Sequence, residues 1–190
     1  MAYDLHSTHF RFGIDELDEA THGWYANEDV NPTHTWAYDI FLLRFNIDNI
    51  GDEQAYNLAQ QFEYRKNAGE WTAITPTSSD VKALACVALA NEQYCTQRLS
   101  GAGTFETSGG GQTEDGLSGG DVNDPVAEGC TETECGLQLI ELDLSNDDVI
   151  EFRVTGGILT ITHDVTPSIT IGGGGGSIVP LLMEQRKRRM

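Results

Sequence analysis

Four cysteines carry the most reactive side chains of the sequence: Cys86, Cys95, Cys130 and Cys135. Their spacings are C-x8-C and C-x4-C, and four cysteines allow three pairings. Pairing of sequence neighbours predicts the disulfides Cys86–Cys95 and Cys130–Cys135. The first would clip the loop from Val87 to Tyr94. The second would clip Thr131 to Glu134, between Gly129 and Gly136. Free thiols and zinc are the alternatives. The spacings match short zinc knuckles poorly, and acids crowd the second pair, so no metal site is assigned.

Other chemistry is sparse. Five histidines occur, His6, His9, His22, His34 and His163. His6 and His9 read as a solvated pair and His163 as a strand residue. No P-loop is present, and no nucleophile–base pair stands at usable spacing. No catalytic residue and no cofactor are therefore expected, and the chain reads as non-enzymatic. Two acidic turns, Asp143 to Asp148 and Asp115 to Asp124, offer oxygen ligands to calcium. Neither has the twelve-residue EF-hand layout.

Binding chemistry concentrates at the end of the sequence. Gly172 to Gly176 form a flexible joint, followed by Ser177. Ile178, Val179, Leu181, Leu182 and Met183 form an apolar plug around Pro180, and Arg186, Lys187, Arg188 and Arg189 form a cationic tip. Burying the plug is worth ~1.5–3 kcal/mol per side chain before ordering costs. These nine residues are the candidate partner-docking set. Lys and Arg total 11 against 30 Asp and Glu. The tip holds four of the bases, leaving 7 against 29 acids over residues 1–183, a charge of −22. A body this acidic repels nucleic acid and anionic membrane. The tip then finds its complement on an acidic protein surface, such as another copy. Residues 1–30 hold no apolar signal-peptide core, and no run of ~18 apolar residues spans a membrane.

The elements that must position these groups are strands. Period-two alternation marks Phe10 to Ile14, Phe41 to Ile47, Leu58 to Tyr64, Val81 to Leu89, Leu137 to Glu141 and Ile150 to Val154. Arg65 to Glu70 supplies a turn, and Trp71 opens a return strand. Gly156-Gly157 signals a hairpin whose second strand runs through Leu159, Ile161 and His163. Ile169 and Ile171 close the body after Pro167. Helices are hard to place; Ile50 to Ala59 and Asp80 to Ala90 are the candidates. Residues 17–37 and 100–129 are long excursions. The first carries Trp24, Tyr25 and Trp36, candidate surface aromatics that are better placed over a core edge or an interface.

The run Phe62-Glu-Tyr-Arg-Lys-Asn-Ala-Gly-Glu-Trp71 resembles the C-strand, turn and C′-strand of immunoglobulin-like and fibronectin-type sandwiches. Ser145 to Val154 looks like an E–F corner. With Gln97 to Phe105 and Val165 to Ile171, the series resembles the Ig-like domains of tailed-bacteriophage virion proteins, over residues 8–171. The resemblance implies an all-β, antiparallel Ig-like β-sandwich over 1–171, a glycine-rich linker at 172–177 and a docking tail at 178–190. It implies a virion structural protein made in the host cytoplasm, with other virion proteins and copies of itself as partners. Capsid decoration is the first expectation. A tail or fibre component, a glycan-binding adhesion module and an extracellular filament subunit are the alternatives.

Overall fold

Alternating apolar residues become two sheets packed face to face. The structure, a computed structural model, describes residues 2–16, 18–32, 40–87, 93–106, 111–117, 124–140 and 143–172. Its strands are β1 (Leu5–Ile14), β2 (Ile40–Asn49), β3 (Gln61–Lys66), β4 (Thr72–Ala73), β5 (Val81–Ala83), β6 (Thr104–Phe105), β7 (Gln112–Thr113), β8 (Gly129–Leu139), β9 (Val149–Thr155), β10 (Ile161–His163) and β11 (Ser168–Thr170). The larger sheet has the order β10-β1-β2-β8-β5, with β6 and β7 also on β8. The smaller has the order β11-β9-β3-β4.

Strand pleat sends alternate residues to opposite faces. Phe41, Leu43, Phe45 and Ile47 of β2 therefore share one face with Phe10 and Phe12 of β1 and Leu137 and Leu139 of β8, and all are buried. They meet Phe62, Phe152 and Val154 of the smaller sheet. Phe152 sits 6.2 Å from Phe12 and 6.3 Å from Phe41, and Phe45 sits 5.8 Å from Phe62, ring to ring. These separations suit aromatic packing between layers.

The outer face of the smaller sheet is ionic. Glu63 opposes Arg153 and Arg65 opposes Glu151 in the β3–β9 ladder. Both pairs are hydrogen-bonded, and both arginines lie over the Trp71 ring, at 4.6 Å for Arg65 and 4.3 Å for Arg153. The β3–β4 turn has positive φ at Asn67 (51°) and Ala68 (56°), as a type I′ hairpin requires. The Gly69 N–H closes it by donating to the Lys66 carbonyl at 2.9 Å.

Several expectations are corrected. Pairing is not purely antiparallel: β1–β10, β6–β8 and β7–β8 are parallel. The Gly156 turn is centred on Gly157-Ile158, and β10 does not return beside β9; it crosses to the other sheet and joins β1. The excursion 100–129 contributes β6 and β7. Residues 129–136, read as a clipped loop, form most of the central strand β8, paired with β2 over ten positions. The strand from Val81 ends at Ala83, and residues 88–92 lie outside the described residues. No α-helix occurs among the described residues.

Candidate functional site

Even-numbered residues of β2 and β8 face away from the core, yet from Leu42 to Asp48 and from Cys130 to Gly136 they are buried. Loops 18–32 and 93–106 cover them. Arg44 is fully buried there, as are Glu132 and Glu134. Its Nε donates to Glu134 at 2.8 Å, and Nη1 to Glu132 at 2.9 Å and to the Thr96 carbonyl at 3.0 Å. Nη2 donates to Glu19 at 2.6 Å. Glu19 also accepts from the N–H and hydroxyl of Thr96, and Glu132 from the N–H groups of Arg98 and Leu99. One strand arginine thus ties both loops to the sheet.

Three carboxylates surround this guanidinium. Burial pushes the Glu134 carboxyl up, but the Arg44 charge and hydrogen bond, with the His22 ring 3.4 Å away, outweigh it and hold the pKa down at about 2. At Glu132 burial outweighs Arg44, and the pKa is raised. Two carboxylates on one guanidinium are thereby pushed apart. Burial opposes the Arg44 charge as well, yet Glu134 and Glu132 hold its pKa well above the usual value. The Glu134 Oε1 and His22 Nε2 atoms make no hydrogen bond in this buried space. The cluster is closed to solvent, so it locks the loop layer and presents no reactive group to a ligand.

Trp24 bridges β1 at Gly13 and is half-buried. Arg98 lies 4.4 Å and Arg11 4.7 Å from its ring centre. Arg98 also donates to the Glu19 and His22 carbonyls. Tyr25 packs against the core. Trp24 and Tyr25 therefore pin the loop to the sheet instead of forming an exposed platform. Trp36 lies outside the described residues.

None of the four cysteines is in a disulfide, which corrects the disulfide expectation. Cys130 and Cys135 lie on one continuous strand, five positions apart, and so point to opposite faces. That spacing is ~16 Å, far beyond disulfide reach. Cys135 faces the core, whereas Cys130 lies under the loop layer beside Gln97 and Gly101. Cys86 approaches Gly136, and Cys95 packs on Gly111, where an added Cβ would lie 2.3 Å from the Cys95 Sγ. Burial pushes the Cys95 thiol well above its usual range and the Cys130 thiol up to about 11. Both are unreactive, protonated thiols.

The histidines separate. His6 bonds Asp164 at 2.8 Å, while burial lowers the pKa of His163. His9 Nδ1 lies 2.7 Å from Asp29 and 3.3 Å from Glu28, a group whose spacing would fit a metal ion. Its carboxylates also accept backbone N–H groups, of Phe10 at Asp29 and of Ser100 at Glu28. In the acidic turns, Asp148 accepts from the Ser145 N–H and from Asn67, and Asp124 from the N–H groups of Asn57 and Leu58. Those oxygens organise turns. Residues 116–120 read Gly-Leu-Ser-Gly-Gly, the spacing of a nucleophile elbow; the two-residue β7 ends at Thr113 and Leu117 bridges Gln61. Residues 118–123 lie outside the described residues.

The docking set Ile178, Val179, Leu181, Leu182, Met183, Arg186, Lys187, Arg188 and Arg189 also lies outside the described residues. The described chain delivers its root. Ile171 exchanges backbone hydrogen bonds with Asp147 and Asp148, at the start of β9. At the far end of β9 the molecule exposes apolar groups: Tyr3, Ile50, Tyr56 and Ile158. A shallow open cavity of about 470 Å³ there is lined by Tyr3, Glu53, Gln54 and Tyr56. Sequence reading missed this pole because its residues come from three separate loops.

The site and fold together define a two-sheet, all-β protein with a covered ionic layer. Comparison with family models, with curated proteins and with solved structures found no match.

Proposed function

We propose that this chain is a non-enzymatic structural subunit of a bacteriophage virion, an Ig-like sandwich that decorates the capsid and is anchored through its C-terminal arm. The observation that carries the reading is how the basic residues are distributed. Of the seven bases outside the tip, Arg44 is buried among three glutamates, Arg65, Lys66 and Arg153 are paired with acids, Arg11 and Arg98 sit on Trp24, and Lys82 is half-buried on β5. The body thus presents mainly acid, and the sequence gathers four further cations behind an apolar plug and a glycine joint. Such a segment suits docking on an acidic protein surface: the apolar part sets residence time and the charges set encounter rate. The virion assignment rests on the resemblance of residues 8–171. The half-buried state of Trp24 weighs against the glycan-platform alternative.

The test is assembly of the full-length protein with Leu181→Asp and Leu182→Asp. The expected result is a folded protein that no longer joins the particle. Assembly equal to wild type would overturn the anchoring role.

A further inference from the structure

We infer that the arm of one copy docks on the far pole of a second copy, in the cavity between Tyr3 and Tyr56, so that copies associate head to tail. This inference rests on the anchoring role proposed above and names the surface that receives the anchor.

Three observations carry it. First, exposed apolar groups gather at one end. Eight large apolar side chains are exposed on the described surface, and four of them, Tyr3, Ile50, Tyr56 and Ile158, belong to this pole. Gly51 packs directly on the backbone of residues 2–4, and the Gly157 turn that carries Ile158 packs on Ala59, which brings the loops together. Patches of this kind mark interaction sites.

Second, the charges are complementary. Asp4, Asp52, Glu53 and Glu128 are exposed around the pole, and no lysine or arginine lines the cavity. An apolar plug followed by Arg186 to Arg189 matches an apolar floor with an acidic rim.

Third, the arm begins at the end of the body opposite the pole. Its root at Ile171 lies beside Asp148, where β9 starts. The pole lies past the opposite end of β9, where Gly156 meets Leu58 and Gly157 meets Ala59. β9 and Gly156 span ~23 Å at ~3.3 Å per residue. From Ile171 to Ile178 there are seven residue steps, ~23–25 Å when fully extended, against a relaxed reach of about 13–16 Å for a glycine-rich chain. The plug's first residue would reach its own pole only with the joint pulled taut, at a cost in chain entropy. A neighbour's pole carries no such requirement. A head-to-tail contact joins two different patches, so it closes into a ring or continues as an open array.

The experiment uses the full-length chain. Self-association is followed by sedimentation velocity for wild type, for Tyr56→Ser with Ile158→Ser, for Leu181→Asp with Leu182→Asp, and for Val30→Ser as an exposed control elsewhere. Weakening by about tenfold or more is expected at both the pole and the plug, with no change in the control. A photo-crosslinker at position 56, in an equal mixture of 14N and 15N chains, should give crosslinks to residues 178–183 of mixed isotope composition. Crosslinks within single chains only, or pole variants that associate like wild type while the plug variants do not, overturn this docking surface and leave the anchor standing. A wild type that stays monomeric yet joins the particle through its plug overturns the second-copy partner. Plug variants that associate and assemble normally sink both readings.

Discussion

Arg44 and Glu134 are direct cross-strand partners in the β2–β8 ladder, joined by a 2.8 Å hydrogen bond, and neither side chain touches solvent. A pair in that position faces the core or solvent in an ordinary sandwich. Here it faces a third layer made of loops. Arg44→Met leaves Glu19, Glu132 and Glu134 buried without their cation, so unfolding free energy should fall by about 3–5 kcal/mol. Replacing Arg44 and the two strand glutamates together by apolar residues of similar volume should cost much less than that single change. Urea unfolding of both variants is the measurement. A single variant within about 0.5 kcal/mol of wild type would show that the cluster carries no structural weight.

Acid should unlock the same layer. The Glu134 pKa is about 2 when folded, against an ordinary value of 4.5. A depressed carboxylate contributes stability that is complete above its unfolded value and is lost as pH falls through the folded one. The window is therefore roughly pH 4.5 to 2, and the contribution at neutral pH is on the order of 3 kcal/mol. Glu132 runs the other way: its raised pKa means that ionisation opposes folding at neutral pH and that acid relieves the cost. Glu134→Gln should lower stability at pH 7 and flatten the acid limb. An unchanged slope of stability against pH below 4.5 in the variant contradicts the assignment.

Thiol chemistry gives a direct count. An aromatic disulfide reagent should find four reactive thiols in the unfolded, unreduced protein. In the native protein Cys86, the one cysteine that is not buried, should react first. Cys95, Cys130 and Cys135 should react only at the rate of opening. Fewer than four thiols after unfolding would restore a disulfide.

The β3–β4 turn offers a stabilising change. Ala68 holds a φ of 56°, a left-handed conformation that costs a non-glycine residue roughly 1–2 kcal/mol. Ala68→Gly removes the strain and adds unfolded-state entropy, so a net gain of about 0.5–1 kcal/mol is expected. Thermal melting settles it, and a drop in melting temperature would refute the strain argument.

His6 supplies a second pH marker, at the β1–β10 edge. Burial opposes its charge, but Asp164 and Asp4 outweigh that and raise its pKa above 6.5. A raised histidine contributes stability below its unfolded value and loses it as pH rises through the folded one. Asp164→Asn should move the His6 titration downward in an NMR series. No movement would mean that the pair does not form in solution.

The core was legible in the sequence because its strands alternate. Phe41 to Ile47 and Ile150 to Val154 appear as strands and supply the two facing layers. β8 was hidden by its own chemistry. Thr131-Glu-Thr-Glu134 has the composition of an exposed loop, and only its pairing with β2 and its loop cover explain why it is buried. The signal lay in Glu132 and Glu134, spaced two apart to share a face, and in a lone Arg44 on another strand. Recognising it required knowing that residues 18–32 and 93–106 fold back over that face. The β10 crossover was illegible for a related reason: a glycine turn after β9 resembles a hairpin whichever sheet the chain then enters.

That cover has a consequence for the order in which the molecule is made. Arg44 emerges from the ribosome 88 and 90 residues ahead of Glu132 and Glu134. At ~5–20 residues per second, these two glutamates arrive about 4–18 s later. Until then β2 has β1 on one side and an open edge on the other, with a cation and a run of phenylalanines on display. The larger sheet cannot zip in the order of synthesis. It closes backwards, when a late strand slots between early ones, and β10 seals the remaining edge after that. The nascent chain is therefore at its most aggregation-prone midway through translation, before its central strand exists.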